Sequence, residues 1–496
     1  MADTGYILAL DQGTTSTRAL AFNAEHKVLA VAQRELKQYY PANGWVEHDA
    51  AEIWDASLAV MAEVIGAMEA RGMTPMALGI TNQRETTILW DRRTGEPVHR
   101  AIVWQDRRTA DVCDDLRKEA GVTARITRQT GLLLDPYFSA TKIAWILDNN
   151  PDLRALATAG DLAFGTVESY LLYRLTGGIR HATDATNASR TMLCDIRTCT
   201  WSEELLDLTR VPKALMPEIV DNAGAFGVVD EGLPGAGIPI TGLIGDQQSA
   251  AVGQACIAPG QVKSTYGTGC FVLQNTGEEL VYSQNRMLST VAYRIGGKTA
   301  YAMEGSIFNA GTVVQWFRDQ LGLIQSAPDS EALVAGLSDS GGVYMVPAFT
   351  GLGAPHWRAD ARGMLSGLTR DTSAAHIVRA GLESVVYQTA DLFAALKADG
   401  AQPAEIVRVD GGMAANGWFV QYLADICDVP VERPVSVETT ALGAALCAGV
   451  GIGLWPDLEA ATAQWQLDAH YDPAMEAGHR AGLLKGWQAA LRQCLA

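Results

Sequence analysis

The chain has 496 residues, 48% hydrophobic and 19% charged, a composition that excludes disorder and a length that exceeds what one hydrophobic core organises, so two or three domains are expected. Its 38 basic and 56 acidic residues leave a formal charge of −18, which argues against nucleic acid or an anionic membrane as a partner. Eight cysteines, Cys113, Cys194, Cys199, Cys256, Cys270, Cys427, Cys447 and Cys494, are scattered with no C-x-x-C pair and no histidine at zinc-finger spacing; they read as reduced thiols.

At the start, acidic Asp3 stands where a secretion signal carries positive charge, and the apolar run Tyr6 to Leu10 is too short for its core, so a cytoplasmic protein is expected. The segments YILAL, DQGTTST, RALAF, NAEHK and VLAVAQREL then alternate strand and polar turn, an antiparallel meander. Helical periodicity follows from Ala51 to about Glu69, with Ile53, Trp54, Leu58, Met61, Val64, Ile65 and Met68 at steps of three and four, then a strand at Ala77 to Ile80. Similar alternation to about Gly245 predicts a mixed sheet flanked by helices. Asn187-Ala188-Ser189 fits a glycosylation sequon but, without a secretion signal, is set aside.

Near Ile244 the pattern restarts: LIGDQQSAAVGQ is followed by VKSTYGTGCFVLQN, whose glycine turn echoes DQGTTST. Two similar domains facing a cleft are therefore expected, with the boundary near Gly253. AYRIGGKT at 292–299 lacks the first glycine of a P-loop and reads as a hairpin turn at Gly296-Gly297. GLGAPH and GVGIGL place His356 and Leu454 where a dinucleotide fingerprint needs its third glycine. Beyond them, IVRVDGG is a strand ending in a diglycine, followed by a helix from about Asn416 to Ile426 and the short strand VPVERP. Thr439 to Pro456 is uncharged but glycine-rich, a closely packed buried helix rather than a membrane span. A last helix carries Leu483, Leu484, Trp487, Leu491 and Leu495 on one face. With no H-E-x-x-H and no G-x-S-x-G, isolated histidines such as His99 and His376 read as structural or solvated.

Three glycine turns, Asp11 to Thr17, Tyr266 to Gly269 and Asp410 to Gly412, each leave a strand with several backbone N–H groups exposed, which suits phosphate. The first adds hydroxyls from Thr14, Thr15, Ser16 and Thr17, the positive Arg18, and the Asp11 carboxylate, a candidate for Mg²⁺. A hydroxyl-rich hairpin is the competing reading. Asp246 follows an apolar strand at the start of the second half, either as a general base or as an N-cap of the next helix. Arg84 and Glu85, adjacent at a strand end, either bind neighbouring hydroxyls of a polyol or form a surface ion pair. Trp104 and Tyr137 are aromatics in polar loops, suited to walling a small pocket or to core packing.

LDQGTTSTR, ITNQRETT, IVWQDRR, DPYFSATK, TNASRTM, GDQQ, STYGTGCF, PAFTGLGAPHW, VDGG and TALGAA occur in this order and resemble the FGGY family of carbohydrate kinases, its glycerol-phosphorylating members above all. YFSATKIAWILDN at 137–149 and the stretch Gly363 to Glu383 are similar to the family's two signatures. The resemblance implies an α/β fold of two actin-like, ribonuclease-H-like domains, 1–253 for glycerol and phosphate and 254–496 for nucleotide, with a central cleft. It implies transfer of a phosphoryl group from ATP to glycerol, giving sn-glycerol 3-phosphate, with Mg²⁺ held by Asp11 and Asp246. By resemblance, glycerol contacts fall on Arg84, Glu85, Trp104, Tyr137, Asp246, Gln247 and Phe271, with Asp246 the base. Nucleotide contacts fall on Thr14, Thr15, Ser16, Arg18, Thr268, Gly311, Gln315, Gly412 and Asn416. Relatives form homodimers and homotetramers. One departure concerns regulation: VVDEGLPGAGIPI has neither the arginine nor the histidine through which some relatives are controlled. Kinases of this family for pentuloses, gluconate or erythritol, a non-catalytic nucleotide-binding relative, and an actin-like ATPase are the alternatives; the pocket residues and the presence of Asp246 speak for glycerol.

Overall fold

A computed structural model describes residues 5–496; Asp3 lies outside the described residues. Two mixed sheets, each flanked by helices, organise the chain. The first contains β1 (Gly5–Gln12), β2 (Ser16–Phe22), β3 (Val28–Glu35), β4 (Thr74–Asn82), β5 (Ala223–Val228) and β6 (Pro239–Gly245), in the order β5-β6-β4-β1-β2-β3. The expected meander is its antiparallel β1-β2-β3 portion, and β4 pairs in parallel with the other flank of β1. The second contains β7 (Gln261–Tyr266), β8 (Cys270–Gly277), β9 (Leu288–Ile295), β10 (Lys298–Ile307), β11 (Ile406–Asp410), β12 (Val431–Pro434) and β13 (Leu467–Tyr471), in the order β9-β10-β8-β7-β11-β12-β13. Here too a hairpin, β7-β8, opens the sheet, and a parallel strand, β11, joins the other flank of β7. The repeat felt in the two glycine turns is thus a repeat of sheet topology, and the fold class is the two-domain α/β arrangement expected.

Local chemistry explains the elements. Helix α1 (Ala50–Glu69) starts where the Asp49 carboxylate accepts the Ala51 N–H, and it buries Ile53, Trp54, Val60, Met61, Val64, Ile65 and Met68 against the first sheet. The turn between β9 and β10 is Gly296-Gly297, both at positive φ, as a tight hairpin requires. His376 completes a capping box with Ser373 at the start of helix α5 (Ala374–Ala398), and His99 packs edge-on against Trp145, so both are structural. Asn187 is fully buried, bonded to Asn82 and Asp184, and cannot carry a glycan. No helix among the described residues is long and apolar enough to cross a membrane.

The uncharged segment beginning at Thr439 forms helix α7 (Thr439–Gly451). Although it comes late in the chain, it lies on the first sheet and along α3 (Asp246–Gly253), sharing a core with Ile7, Ala9, Leu20, Phe22, Ala77 and Ile244. A division of the chain at Gly253 therefore leaves one helix of the second half seated on the first sheet. Its glycines and alanines are what permit this: a Cβ on Gly443 would lie 1.9 Å from the Ser249 carbonyl oxygen, and one on Gly253 would lie 2.0 Å from that of Thr439. By contrast, Gly482 in α8 (Ala477–Leu495) has nothing within 4 Å of its virtual Cβ. Gly443→Ala is expected to lower stability by about 1–3 kcal/mol through overpacking, whereas Gly482→Ala is neutral or stabilising by up to about 1 kcal/mol; thermal melts of the two variants check the contrast.

Candidate active site

Strands β1, β4 and β6 end in register, Gln12 beside Asn82 and Asn82 beside Gly245. The residues immediately beyond them therefore meet at one place, the carboxyl edge where open α/β sheets bind ligands. The β1-β2 turn brings Thr14, the end of β4 brings Arg84 and Glu85, and the start of α3 brings Asp246 and Gln247. With Trp104, Tyr137 just ahead of α2 (Ser139–Asp148), and Phe271 on β8, they enclose a cavity of about 110 Å³. All seven residues expected at the polyol line it, and Thr14 joins them.

Charges under this cavity are buried and matched. Arg84 and Glu85 are 2% and 1% exposed, which removes the surface ion pair as a reading. Nor are they chiefly each other's partners. Arg84 donates to both oxygens of Glu304, at 2.5 and 3.1 Å, to Gln248 at 3.1 Å, and approaches Asp246 at 3.2 Å. Glu85 accepts from Arg190 at 2.6 Å, and Arg190 also reaches Glu304 at 3.0 Å. Burial pushes the Glu304 carboxyl up, but Arg190 and Arg84 outweigh it and hold it down at about 2. For Glu85 burial prevails over the same two arginines, and its carboxyl is raised. Glu85 also sits at φ +59°, a strained conformation for a residue with a Cβ, which turns the chain sharply after β4.

Asp246 is the first residue of α3 rather than its cap, which is Gly245; the N-cap reading is thus displaced by one residue. Its side chain remains 27% exposed toward the cavity. Burial raises its carboxyl, opposed by Arg84 and by Lys263. Lys263, fully buried on β7, donates to the Gln247 side chain at 2.5 Å and so orients that amide. The walls are aromatic: Trp104 meets Tyr137 edge-on at 5.6 Å and Phe271 at 6.4 Å, and its indole N–H donates to Thr14 Oγ1 at 2.9 Å.

A larger cavity of about 390 Å³ opens beside the Tyr266–Gly269 turn. Thr268, Gly311, Gln315, Gly412 and Asn416 line it, together with Arg318, Ser330 and Glu331. Gly311 has a physical reason that its sequence context concealed. Helix α4 (Gly311–Asp319) begins against the turn, its Gly311 N–H bonding the Gly267 carbonyl at 2.9 Å, and a Cβ there would lie 2.6 Å from that same oxygen. Asn416 caps α6 (Gly417–Cys427) by accepting the Phe419 N–H at 2.9 Å, so its oxygen is committed while its amide remains at the cavity. Of the first turn, Thr14 lines the small cavity rather than the large one, and Asp11, Thr15, Ser16 and Arg18 line neither. Arg18 is paired with two carboxylates, Asp11 and Glu438, at 2.6 Å each.

Glu304, Arg190, Lys263 and Gln248 were not legible as site residues. The available signal was a single carboxylate inside the apolar strand YAMEGS, and an arginine within TNASRTM with no acidic neighbour in sequence.

The chain belongs to the FGGY family of carbohydrate kinases: residues 6–253 match the family's N-terminal domain and 262–452 its C-terminal domain. It is 59% identical to the glycerol kinase of Rhodospirillum centenum over 99% of both chains. The crystal structure of Plasmodium falciparum glycerol kinase with ADP superposes with a TM-score of 0.95 at 37% identity, covering 99% of each chain. The ligand-bound xylulose kinase of Lactobacillus acidophilus, at 22% identity and a TM-score of 0.88 over 98% and 97% of the two chains, shares the fold alone.

The Glu304 cluster yields a stability prediction. A carboxyl lowered from 4.5 to about 2 stabilises the fold above its ordinary pKa and loses that contribution as pH falls toward 2. Glu304→Gln, which leaves two buried guanidinium groups short of a partner, is expected to destabilise by about 3–5 kcal/mol near neutral pH. Chemical denaturation at pH 7 and pH 3 checks it: the gap between wild type and variant must narrow at the lower pH.

Proposed function

We propose that this chain transfers the γ-phosphoryl group of ATP to a terminal hydroxyl of glycerol, releasing ADP and sn-glycerol 3-phosphate. The observation that carries this reading is the convergence of Arg84, Glu85, Trp104, Tyr137, Asp246, Gln247 and Phe271 on one cavity of about 110 Å³. By volume that is room for about four waters, suited to a three-carbon polyol. Its buried carboxylate, guanidinium and amide offer acceptors and donors for hydroxyls, and its aromatic walls cover the carbon chain. Residues 1–253 then supply the phosphate contacts and all the glycerol contacts but Phe271, and 254–496, through the larger cavity, most of the nucleotide contacts. ATP dependence and eight free cysteines fit a cytoplasmic setting, and a homodimer or homotetramer is the assembly carried over from the resemblance.

Asp246 is the base. A glycerol hydroxyl over Asp246 loses its proton to that carboxylate as its oxygen attacks the γ-phosphorus, and the bond to the β-phosphate oxygen breaks with ADP leaving. Arg84 pairs with Asp246, and Lys263 favours its ionised form while fixing Gln247. The turn after β1 presents its N–H groups and hydroxyls to the transferred group, a preorganised set of dipoles.

Mg²⁺ fits the donor set. Asp11 bonds Arg18 through Oδ2, and Asp246 bonds Arg84 and the Gln247 N–H through Oδ1; the other oxygen of each makes no hydrogen bond among the described residues. Two hard oxygen donors, with no third carboxylate or histidine grouped with them among the described residues, suit an ion that arrives with its phosphates and waters. Asp11 and Asp246 would hold it, and its charge would neutralise the β- and γ-phosphates.

Asp246→Asn is expected to lower glycerol-dependent ADP release by about 10²–10⁴-fold, with D-xylulose, D-gluconate and erythritol as control acceptors. Activity requires the ionised carboxylate, whose pKa is raised above 3.8. The acid limb of kcat/KM must therefore lie above the ordinary aspartate range, and Lys263→Met, which removes an opposing cation, must move it higher. Turnover with another polyol and none with glycerol would overturn the substrate assignment.

A further inference from the structure

Behind two of the residues that line the small cavity lies a lysine that has no anionic partner among the described residues. Lys142, on α2, is fully buried, and among the described residues it forms no ion pair with a carboxylate. Its ammonium instead donates to two backbone carbonyls, that of Tyr137 at 2.7 Å and that of Glu85 at 3.4 Å. Both residues line the cavity, and they arrive from separate parts of the chain, the strained turn after β4 and the loop before α2. The Glu85 carbonyl accepts further from Ser139 Oγ at 3.1 Å and Thr87 Oγ1 at 3.2 Å, whereas the Tyr137 carbonyl has Lys142 as its side-chain donor. Burying an ammonium without a counter-ion is unfavourable, and an apolar side chain of similar length would fill the same space without that penalty. Desolvation accordingly pulls the Lys142 ammonium down to about 7, against the more distant attraction of Glu85, Asp106 and Asp135 and in concert with Arg107.

We infer that Lys142 is a positioning residue for the acceptor: by bonding the Glu85 and Tyr137 carbonyls it fixes the spacing of the two chain segments that bring these side chains to the polyol cavity. It lines neither cavity, and none of the residues lining the large one is bonded to it. Loss of this clamp loosens glycerol alone. A purely structural role behaves differently: a destabilised fold lowers the active fraction and leaves both Michaelis constants where they were.

This inference rests on the acceptor being glycerol, so the wild type is measured first for glycerol-dependent ADP release. Failure there refutes the proposed function itself. With wild type active, Lys142→Met is expected to raise the glycerol KM by about 10- to 100-fold, the scale of a lost charge-assisted hydrogen bond, while the ATP KM moves less than about twofold. Lys142→Arg, which keeps a cation but displaces its donors, is scored by the same split and serves if the methionine variant does not fold. An unchanged glycerol KM in the folded variant, or a parallel rise for both substrates, overturns the inference and leaves the glycerol assignment intact.

Discussion

Glu304 holds the molecule together at the point where it works. It is a carboxylate on the second sheet, 1% exposed, gripped by Arg84 and Arg190 from the first half of the chain. Two surfaces that must form a cleft between them need a joint that resists sliding yet leaves the cleft accessible. A bidentate guanidinium–carboxylate pair provides direction as well as attraction, and in this dry setting its weakening would expose unpaired charge. The same arginines continue to Glu85 and Asp246, so the joint between the halves is also the floor of the small cavity. Disturbing the joint and disturbing the site are, for this reason, one physical event.

Helix α7 fixes the other coordinate. By lying on β1, β4 and β6 at separations that exclude side chains at Gly79 and Gly242, and against α3 at one that excludes a side chain at Gly443, it sets the height of the strand ends from which Thr14, Arg84 and Asp246 project. At its first residue, Thr439 donates through its hydroxyl to Asp410 at the end of β11 in the second sheet. Just ahead of it Glu438 bonds Arg18 on β2. The start of one helix thereby reaches a glycine turn of the second sheet, at Asp410, and the strand just past the glycine turn of the first, at Arg18. The Trp104 N–H on Thr14 adds a direct link from the wall of the small cavity to the first turn.

How much of this was legible in the sequence depends on the range of the interaction. The β1-β2-β3 meander, α1, the Gly296-Gly297 hairpin and the topological repeat follow from local periodicity and turn chemistry, and all are recovered within a few residues. The seven small-cavity residues were reached through the resemblance, with Arg84, Glu85, Trp104, Tyr137 and Asp246 already marked by polar or aromatic residues in unexpected company. Glu304 and Arg190 were not, because their partners lie more than 100 residues away along the chain and a single charge in an apolar strand does not say which charge it will meet. The seating of α7 on the first sheet was equally hidden: an uncharged, glycine-rich helix reveals that it is packed tightly, but not against what.

Charge arithmetic explains why a neutral polyol suits this floor. Arg84, Arg190 and Lys263 oppose Glu85, Glu304 and Asp246, three cations against three anions, with Lys142 set apart on two backbone carbonyls; hydrogen bonds or close ion pairs join the arginines to the carboxylates, and Lys263 reaches the set through the Gln247 amide. A charged acceptor would unbalance the set in a region where screening by water is weak, whereas uncharged hydroxyls add hydrogen bonds without adding net charge. Within that balance Asp246 is distinct, for it alone of the three carboxylates keeps part of its surface open to the cavity, 27% against 1% for Glu85 and Glu304. The buried pair hold the frame while the exposed one remains free to take a proton, and its raised affinity for that proton is a consequence of the same dry surroundings that make the frame rigid.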